Sequence, residues 1–167
     1  MVSDEVTTYG GSANAGVMTE IEAASTDTPR DFVRDLFGRV PAEDLAAYSP
    51  ATLADLAHHA FEHLKERPSP GADIQLLDLD IERHGRTREL TIVEVVNDNM
   101  PFLLDSTLAE IVDQGYEPVL VAHAILEVER DSSGHLVRLG GDATAQMQGS
   151  ARRESFIHIH LDRIDDE

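Results

Sequence analysis

The chain has 167 residues, enough for one domain with an appendage, and its hydrophobic fraction of 41% supplies a real core. Aromatic residues make up only 5%, so aliphatic packing has to carry that core. Thirteen basic residues against 32 acidic ones give a net charge of -19, a surface that repels phosphate backbones and argues against nucleic-acid and anionic-membrane partners.

The absence of cysteine removes disulfides, thiolate catalysis and cysteine-based zinc sites, and fits a reducing compartment. No apolar run approaches the roughly 20 residues of a membrane span. The opening "MVSDEVTTYGGSANAG" has neither a basic nor an apolar leader segment, so it does not read as a signal peptide. The expected location is the cytoplasm.

Residues 1–27 are small, polar and dotted with glycine, and they are expected to be a disordered tail. From Thr28-Pro29 a short helix is predicted, because Phe32, Val33, Leu36 and Phe37 recur at helical spacing before Pro41. "YSPATLADLAHHAFEHLKERPSPG" is the clearest helix. Ser49 caps it, Pro50 suits its first turn, and Leu53, Leu56, Ala57, Ala60, Phe61 and Leu64 form one stripe. Pro68 and Pro70 stop it.

"ADIQLLDLDIERHGRTRELTIVEVVND" reads as a β-hairpin. Leu77, Leu79 and Ile81 alternate with Asp78 and Asp80, and His84-Gly85 offers the turn into a β-rich run from Leu90 to Val96. A helix is then predicted from about Pro101 to Gln114. Leu104, Leu108, Ile111 and Val112 share a face of it, and Gly115 suits a left-handed end.

"YEPVLVAHAILEVERDSSGHLVRL" predicts a long strand, a turn at Asp131 to Gly134 and a short strand. "GGDATAQMQGS" is expected to be a flexible loop. "ESFIHIHLDR" is a final alternating strand, with Ile157, Ile159 and Leu161 on one side, and "IDDE" follows with no closing element. The order points to an α+β fold, an antiparallel sheet with helices packed mainly on one face. Leu120, Ala122, Ala124 and Leu126 alternate with Val119, Val121 and Ile125, so neither side of that strand is simply wet. One face takes the helices. The other needs a cover, which predicts a partner surface.

The stretch "VEVVNDNMPFLLDS" carries two readings. Asn97, Asp98 and Asn99 are preferred helix caps, Pro101 suits a first turn, and Asp105 favours the positive helix end. Alternatively, free backbone N–H groups across Asn97, Asp98, Asn99, Met100 and Phe102, with Asp105 beside them, hold a small carboxylate ligand. The nearby acids oppose an anion.

His158 and His160 form an H-x-H pair that points to one face of a strand, with His123 on another strand as a conceivable third metal ligand. A histidine pair on a half-exposed strand is the plainer reading, and no metal is expected. His58, His59 and His63 lack the glutamate of an H-E-x-x-H site and read as a solvated helix face. Asp78, Asp80 and Glu82 read as a solvent-facing row.

There is no G-x-G-x-x-G after a strand, no P-loop and no G-x-S-x-G. Lysine occurs once, as Lys65. No catalytic residue is identified, and the chain by itself is expected to be non-catalytic.

"TIVEVVNDNMPFLLDSTLAEIVDQG", "VLVAHAILEVERDSSGHL" and "ESFIHIHLD" occur in that order and resemble the N-terminal region of the large bacterial NAD-dependent glutamate dehydrogenases. The resemblance covers about residues 28–163. It implies a parent enzyme that oxidises L-glutamate to 2-oxoglutarate and ammonia in amino-acid metabolism, with NAD bound in a downstream catalytic domain and no cofactor in this part. It also implies partners among other domains or subunits of the same enzyme, a homo-oligomeric parent, and conceivably a small amino-acid effector.

This region is similar to an ACT domain, a βαββαβ ferredoxin-like module, here with an incomplete βαββ pattern. The resemblance makes Leu90 to Val96 the first strand, Pro101 to Gln114 the first helix, Val119 to Arg130 the second strand and Phe156 to Asp162 the third. Ile74 to Ile81 would fill the vacant edge beside the first strand, and the helix Ala51 to Glu66 the vacant helix slot. The implied organisation is a tail at 1–27, a helical segment at 28–70 and an ACT-like α+β domain at 71–167, truncated at its C-terminus. ACT ligand loops read Asp-x-Pro-Gly before the helix. Here Phe102 stands at the glycine position and Asn99 near the acidic one, which is expected to fill the ligand space and weigh against amino-acid binding.

Overall fold

The computed structural model describes residues 11–142 and 151–165. Ten elements follow in order: α1 (Gly11–Ala24), α2 (Arg30–Phe37), α3 (Ala42–Ala46), α4 (Pro50–Leu64), β1 (Asp73–Arg83), β2 (Arg86–Asp98), α5 (Leu103–Asp113), β3 (Pro118–Arg130), β4 (Leu136–Asp142) and β5 (Arg152–Asp162).

The tail expected at 1–27 is corrected from Gly11 onward, where α1 forms; residues 1–10 lie outside the described residues. Met18 and Ile21 are its buried anchors. Two apolar side chains in a run of small polar residues leave no visible period, and packing against α4, α2 and α3 decides the structure. The helix α3 was not anticipated either. Pro41, read as a stop, is also the N-cap of α3, and Leu45 is buried beneath it.

The helix α4 forms as expected. Ser49 Oγ accepts from the Thr52 N–H at 3.1 Å, and Pro50 opens the first turn. In α2, Phe32, Val33, Leu36 and Phe37 are all buried. Each such large side chain contributes about 1.5–3 kcal/mol through burial.

The strands form one antiparallel sheet in the order β1-β2-β5-β3-β4. His84 (φ 52) and Gly85 (φ 68) make the two-residue turn between the paired Arg83 and Arg86. Of the expected flexible loop, residues 140–142 belong to β4, and 143–150 lie outside the described residues.

Both sheet faces are apolar. One carries Leu90, Ile92, Val96, Leu120, Ala124, Leu126 and Phe156 and packs on α1–α4. The other carries Val93, Val95, Ile157, Ile159 and Leu161 and meets α5 through Leu104, Leu108 and Ile111. The two helical layers therefore lie on opposite sides of the sheet. Placing the Ala51 to Glu66 helix in the slot beside α5 is corrected, because the α4 stripe matches the other face.

Gly134 (φ 88) turns the chain between β3 and β4 directly over the end of α4. A Cβ there would sit on the Arg67 carbonyl oxygen, while the Gly134 carbonyl accepts from the Arg67 N–H at 3.0 Å. Gly134→Ala should therefore cost about 2–3 kcal/mol, read as a lower urea midpoint at unchanged slope.

Candidate functional site

The strand-to-helix connection 99–102 does not work as a side-chain cap. The Asn97 side-chain oxygen accepts from the Asp98 N–H at 2.8 Å and from Arg67 Nη2 at 3.3 Å, and Asp98 Oδ1 accepts from Arg67 Nη1 at 2.8 Å. The Asn99 N–H donates to the Arg153 carbonyl at 3.1 Å. Asn97 and Asp98 still belong to β2, so they anchor Arg67 instead of the helix. The residue at the N-cap of α5 is Phe102, with φ 63 and no side-chain cap bond. Asp105 lies in the first turn, as expected.

Phe102 adopts the left-handed conformation that a glycine would hold there at no steric cost. Its ring does not fill the space over the loop; it is 75% exposed. Asn99, Met100, Pro101, Phe102, Leu103, Leu104 and Asp105 line an open cavity of about 430 Å³, walled on the sheet side by His123 and Ile125. Burial, with the charge of Arg39 adding to it, pushes the His123 imidazole below its ordinary value, and its Nε2 meets Ser155 Oγ. No cationic side chain lines this cavity. Phe102→Gly should leave stability unchanged or raise it by up to about 1 kcal/mol, the opposite of an ordinary aromatic deletion, as thermal unfolding will show.

His158 and His160 do share a face, yet they are not half-exposed. Both are wholly buried against the helical layer, with their Nε2 atoms 2.9 Å apart. His123 pairs across from Ile157 and so points to the opposite face, which separates it from the other two. Among the described residues, no cluster of three or more histidine or acidic side chains is arranged to hold a metal ion. Asp78, Asp80 and Glu82 are exposed, as expected.

The solvated-face reading of the α4 histidines is corrected at His63. Its side chain is 6% exposed, and its Nδ1 donates to Glu94 Oε2 at 2.9 Å. Glu94 is not among the sequence-predicted site residues. A lone acid inside the apolar run "TIVEVV" is the signal that could have found it, because a buried carboxylate needs donors.

A second buried charge cluster fastens the end of α4 to the sheet. Glu154 takes hydrogen bonds from Arg67 Nη1 at 2.9 Å and from Arg130 Nη2 at 2.8 Å. Burial works against the Arg67 charge, but its bonds to Asp98 and Glu154 more than offset it and hold its pKa above the usual value. The remaining guanidinium donors go to the carbonyls of Leu64, Pro70, Gly71 and Gly134. With these donors occupied by the chain itself, the cluster reads as a clamp.

The order of strands, the strand-to-helix loop and the single helix over β3 and β5 match the ACT expectation, and β1 lies along β2 at the vacant edge. The model of the glutamate dehydrogenase ACT1 domain matches residues 32–167. The chain belongs to that family. Among curated relatives, this ACT1 domain is similar to an NAD-specific glutamate dehydrogenase of Halomonas elongata, at 29% identity over 85% of the chain. It is also similar to an NAD-specific glutamate dehydrogenase of Pseudomonas aeruginosa, at 24% identity over 79% of the chain. The matched region spans 8% of the length of each relative. No solved structure matches.

The relatives' names imply NAD, and the residues described here do not fit it. The one strand-to-helix connection among the described residues, 99–102, contains no glycine, and the sheet is antiparallel throughout. A dinucleotide's pyrophosphate calls for a glycine-rich turn leading from a parallel strand into a helix.

Proposed function

We propose that this ACT1 domain is a non-catalytic regulatory and assembly module of a large NAD-dependent glutamate dehydrogenase. In that reading the parent enzyme converts L-glutamate, NAD and water to 2-oxoglutarate, ammonia and NADH in the cytoplasm, with its catalytic centre elsewhere in the polypeptide. The module docks against other domains or subunits of the same oligomeric enzyme. One observation carries the reading: the second sheet face is apolar but only partly roofed. No residue of α5 is fully buried, and Ile74 and Leu76, on the same face as Val93 and Val95, are 63% and 60% exposed. Val112 adds a further exposed apolar side chain. Among the described residues no helix is long and apolar enough to cross a membrane, so this surface is not part of a spanning helix.

Light scattering across protein concentration, in salt high enough to screen the acidic surface, tests the docking reading. Association that disappears in the Ile74→Ser, Leu76→Ser double variant supports it. A strict monomer at every concentration overturns it. The chain alone should show no dehydrogenase activity.

A second reading has its own support. The strained Phe102 backbone beside an open cavity suits a sensor that binds a small amino acid across Asn97, Asp98, Asn99, Met100, Phe102 and Asp105. The lack of a lining cation counts against it. Calorimetry with the twenty L-amino acids separates the two: saturable heat lost in His123→Ala supports the sensor, and no heat for any of them leaves docking.

A further inference from the structure

Glu94 interrupts the apolar run of β2 and is wholly buried. Its Oε1 faces His158 Nδ1 at 2.9 Å and its Oε2 faces His63 Nδ1 at 2.9 Å. His158 Nε2 faces His160 Nε2 at 2.9 Å, and His160 Nδ1 faces the Tyr48 hydroxyl at 2.9 Å. Carboxylate oxygens only accept, so both Nδ1 atoms beside Glu94 carry hydrogen. Two facing imidazole nitrogens bond only if one carries hydrogen and the other is bare. The neutral chain therefore runs one way. The Tyr48 O–H donates to His160 Nδ1, His160 Nε2–H donates to His158 Nε2, and His158 Nδ1–H donates to Glu94. Each link holds one proton, and His158 and His160 are both neutral.

The immediate surroundings of His160 supply little to stabilise a positive charge on it, since the buried carboxylate of Glu94 bonds to His158 and His63 instead. Leu120 and Ala122 of β3 and Ile92 of β2 stand across from the two β5 histidines, and Phe37 of α2 lies edge-on to His158. The charged groups in range are Glu94 on β2, Asp73 and Arg83 on β1, His63 on α4 and Asp44 beside Tyr48. Burial first, with the Arg83 charge adding to it, pushes the His160 imidazole well below its ordinary value. Asp73, partly exposed and 3.5 Å from His63 Nε2, joins the chain to solvent.

We propose that this relay is a proton-operated latch that holds the helical layer on the sheet and releases α3 and α4 on acidification. The proton accounting gives the mechanism. A proton on His63 Nε2 would face Asp73 and leave the two β5 histidines unchanged. Between those two an added proton fits only if the relay turns round: His158 becomes a cation and donates Nε2–H to His160, and His160 Nδ1–H then points at the Tyr48 oxygen. The Tyr48 hydroxyl hydrogen loses its acceptor. A second added proton sets N–H against N–H between the two histidines or neutralises Glu94. Tyr48 and His63 are the helical layer's ends of the relay, whereas the β2–β5 ladder is made by the backbone. The helices therefore let go before the strands.

Amide hydrogen exchange of the 167-residue chain, corrected for its intrinsic pH dependence, tests the latch. From about pH 7 to about pH 5, protection in α3 and α4 should fall about tenfold per pH unit for each proton taken up on release, while β2 and β5 keep theirs. His160→Gln keeps a donor and an acceptor but does not titrate, and it should flatten that fall to within about twofold. Tyr48→Phe removes only the last link and should lower helix protection already at neutral pH. Equal losses in helices and strands at every pH, or an unchanged slope in His160→Gln, would overturn the latch. So would nitrogen-15 spectra at neutral pH in which His158 and His160 are both doubly protonated. If His160→Gln does not fold, Tyr48→Phe and the nitrogen-15 pattern of the unaltered chain decide the matter.

Discussion

Glu154→Gln should destabilise the fold by about 3–5 kcal/mol, lowering the thermal midpoint by roughly 10 °C or more. The glutamate is wholly buried, and the side chains it holds, Arg67 and Arg130, are 2% and 3% exposed. Glutamine preserves the shape but turns an N–H₂ toward guanidinium groups that only donate. Two buried cations then share one neutral acceptor, with only the 55%-exposed Asp98 left as a counter-charge. Both arginines also tie down carbonyls at the end of α4 and in the β3–β4 turn, so the loss spreads to the junction of helix and sheet. The triple variant Glu154→Leu, Arg67→Met, Arg130→Leu should cost less than the single one, because the only charge it leaves without its partner is the half-exposed Asp98, although the carbonyls of Leu64, Pro70, Gly71 and Gly134 lose their donors. Calorimetry of both variants makes the check. An unchanged midpoint in Glu154→Gln would show that water reaches the cluster.

The second large effect is a loss of stability that starts near pH 6.5, well above the range of ordinary carboxylates. His160 is held neutral in the fold, below its ordinary value of 6.5. As the pH falls below that value the unfolded chain binds a proton that the folded chain refuses, so stability declines by about 1.4 kcal/mol per pH unit. His123, also depressed, acts in the same direction.

Glu94 acts lower. Burial alone would raise its pKa, but the hydrogen bonds from His158 and His63 outweigh burial and hold it at about 2, against an ordinary 4.5. Its contribution of about 3 kcal/mol is present above pH 4.5 and disappears between 4.5 and about 2. Relief of the repulsion within a chain of net charge -19 works the other way, but it needs surface carboxylates to be protonated and is small above pH 5. Urea midpoints should therefore change little from about pH 7.5 to 6.5 and fall clearly from about pH 6.5 to 5.5. His160→Gln should flatten the series, and a flat series in the unaltered chain would mean the site titrates normally.

Much of the fold was legible because local chemistry and tertiary packing agree. Ser49-Pro50 starts α4, His84-Gly85 turns the hairpin, and the alternation of Ile157, Ile159 and Leu161 sorts β5 onto its faces. The helix α1 was not legible, since Met18 and Ile21 are too few to show a period and its partners come from α2–α4. Nor does a helical stripe reveal which side of a two-faced sheet it will cover, which is why α4 was expected beside α5. The Asn97-Asp98-Asn99 run misled for a different reason. Its side chains suit a cap, but Arg67, 30 residues earlier, claims Asn97 and Asp98 first. His63 and Glu94, 31 positions apart, likewise become partners only once α4 lies on the sheet.

The strand order also governs how this chain is made. The hairpins β1–β2 and β3–β4 both leave the ribosome before β5, yet they share no ladder; β5 is the seam between them. Until residues 152–162 clear the exit tunnel, β2 and β3 each expose an unpaired edge, open to wrong pairing with neighbouring nascent chains. Translation that pauses ahead of Arg152 prolongs that exposure, so the tempo of synthesis over β5 bears on how much of the chain reaches its native form.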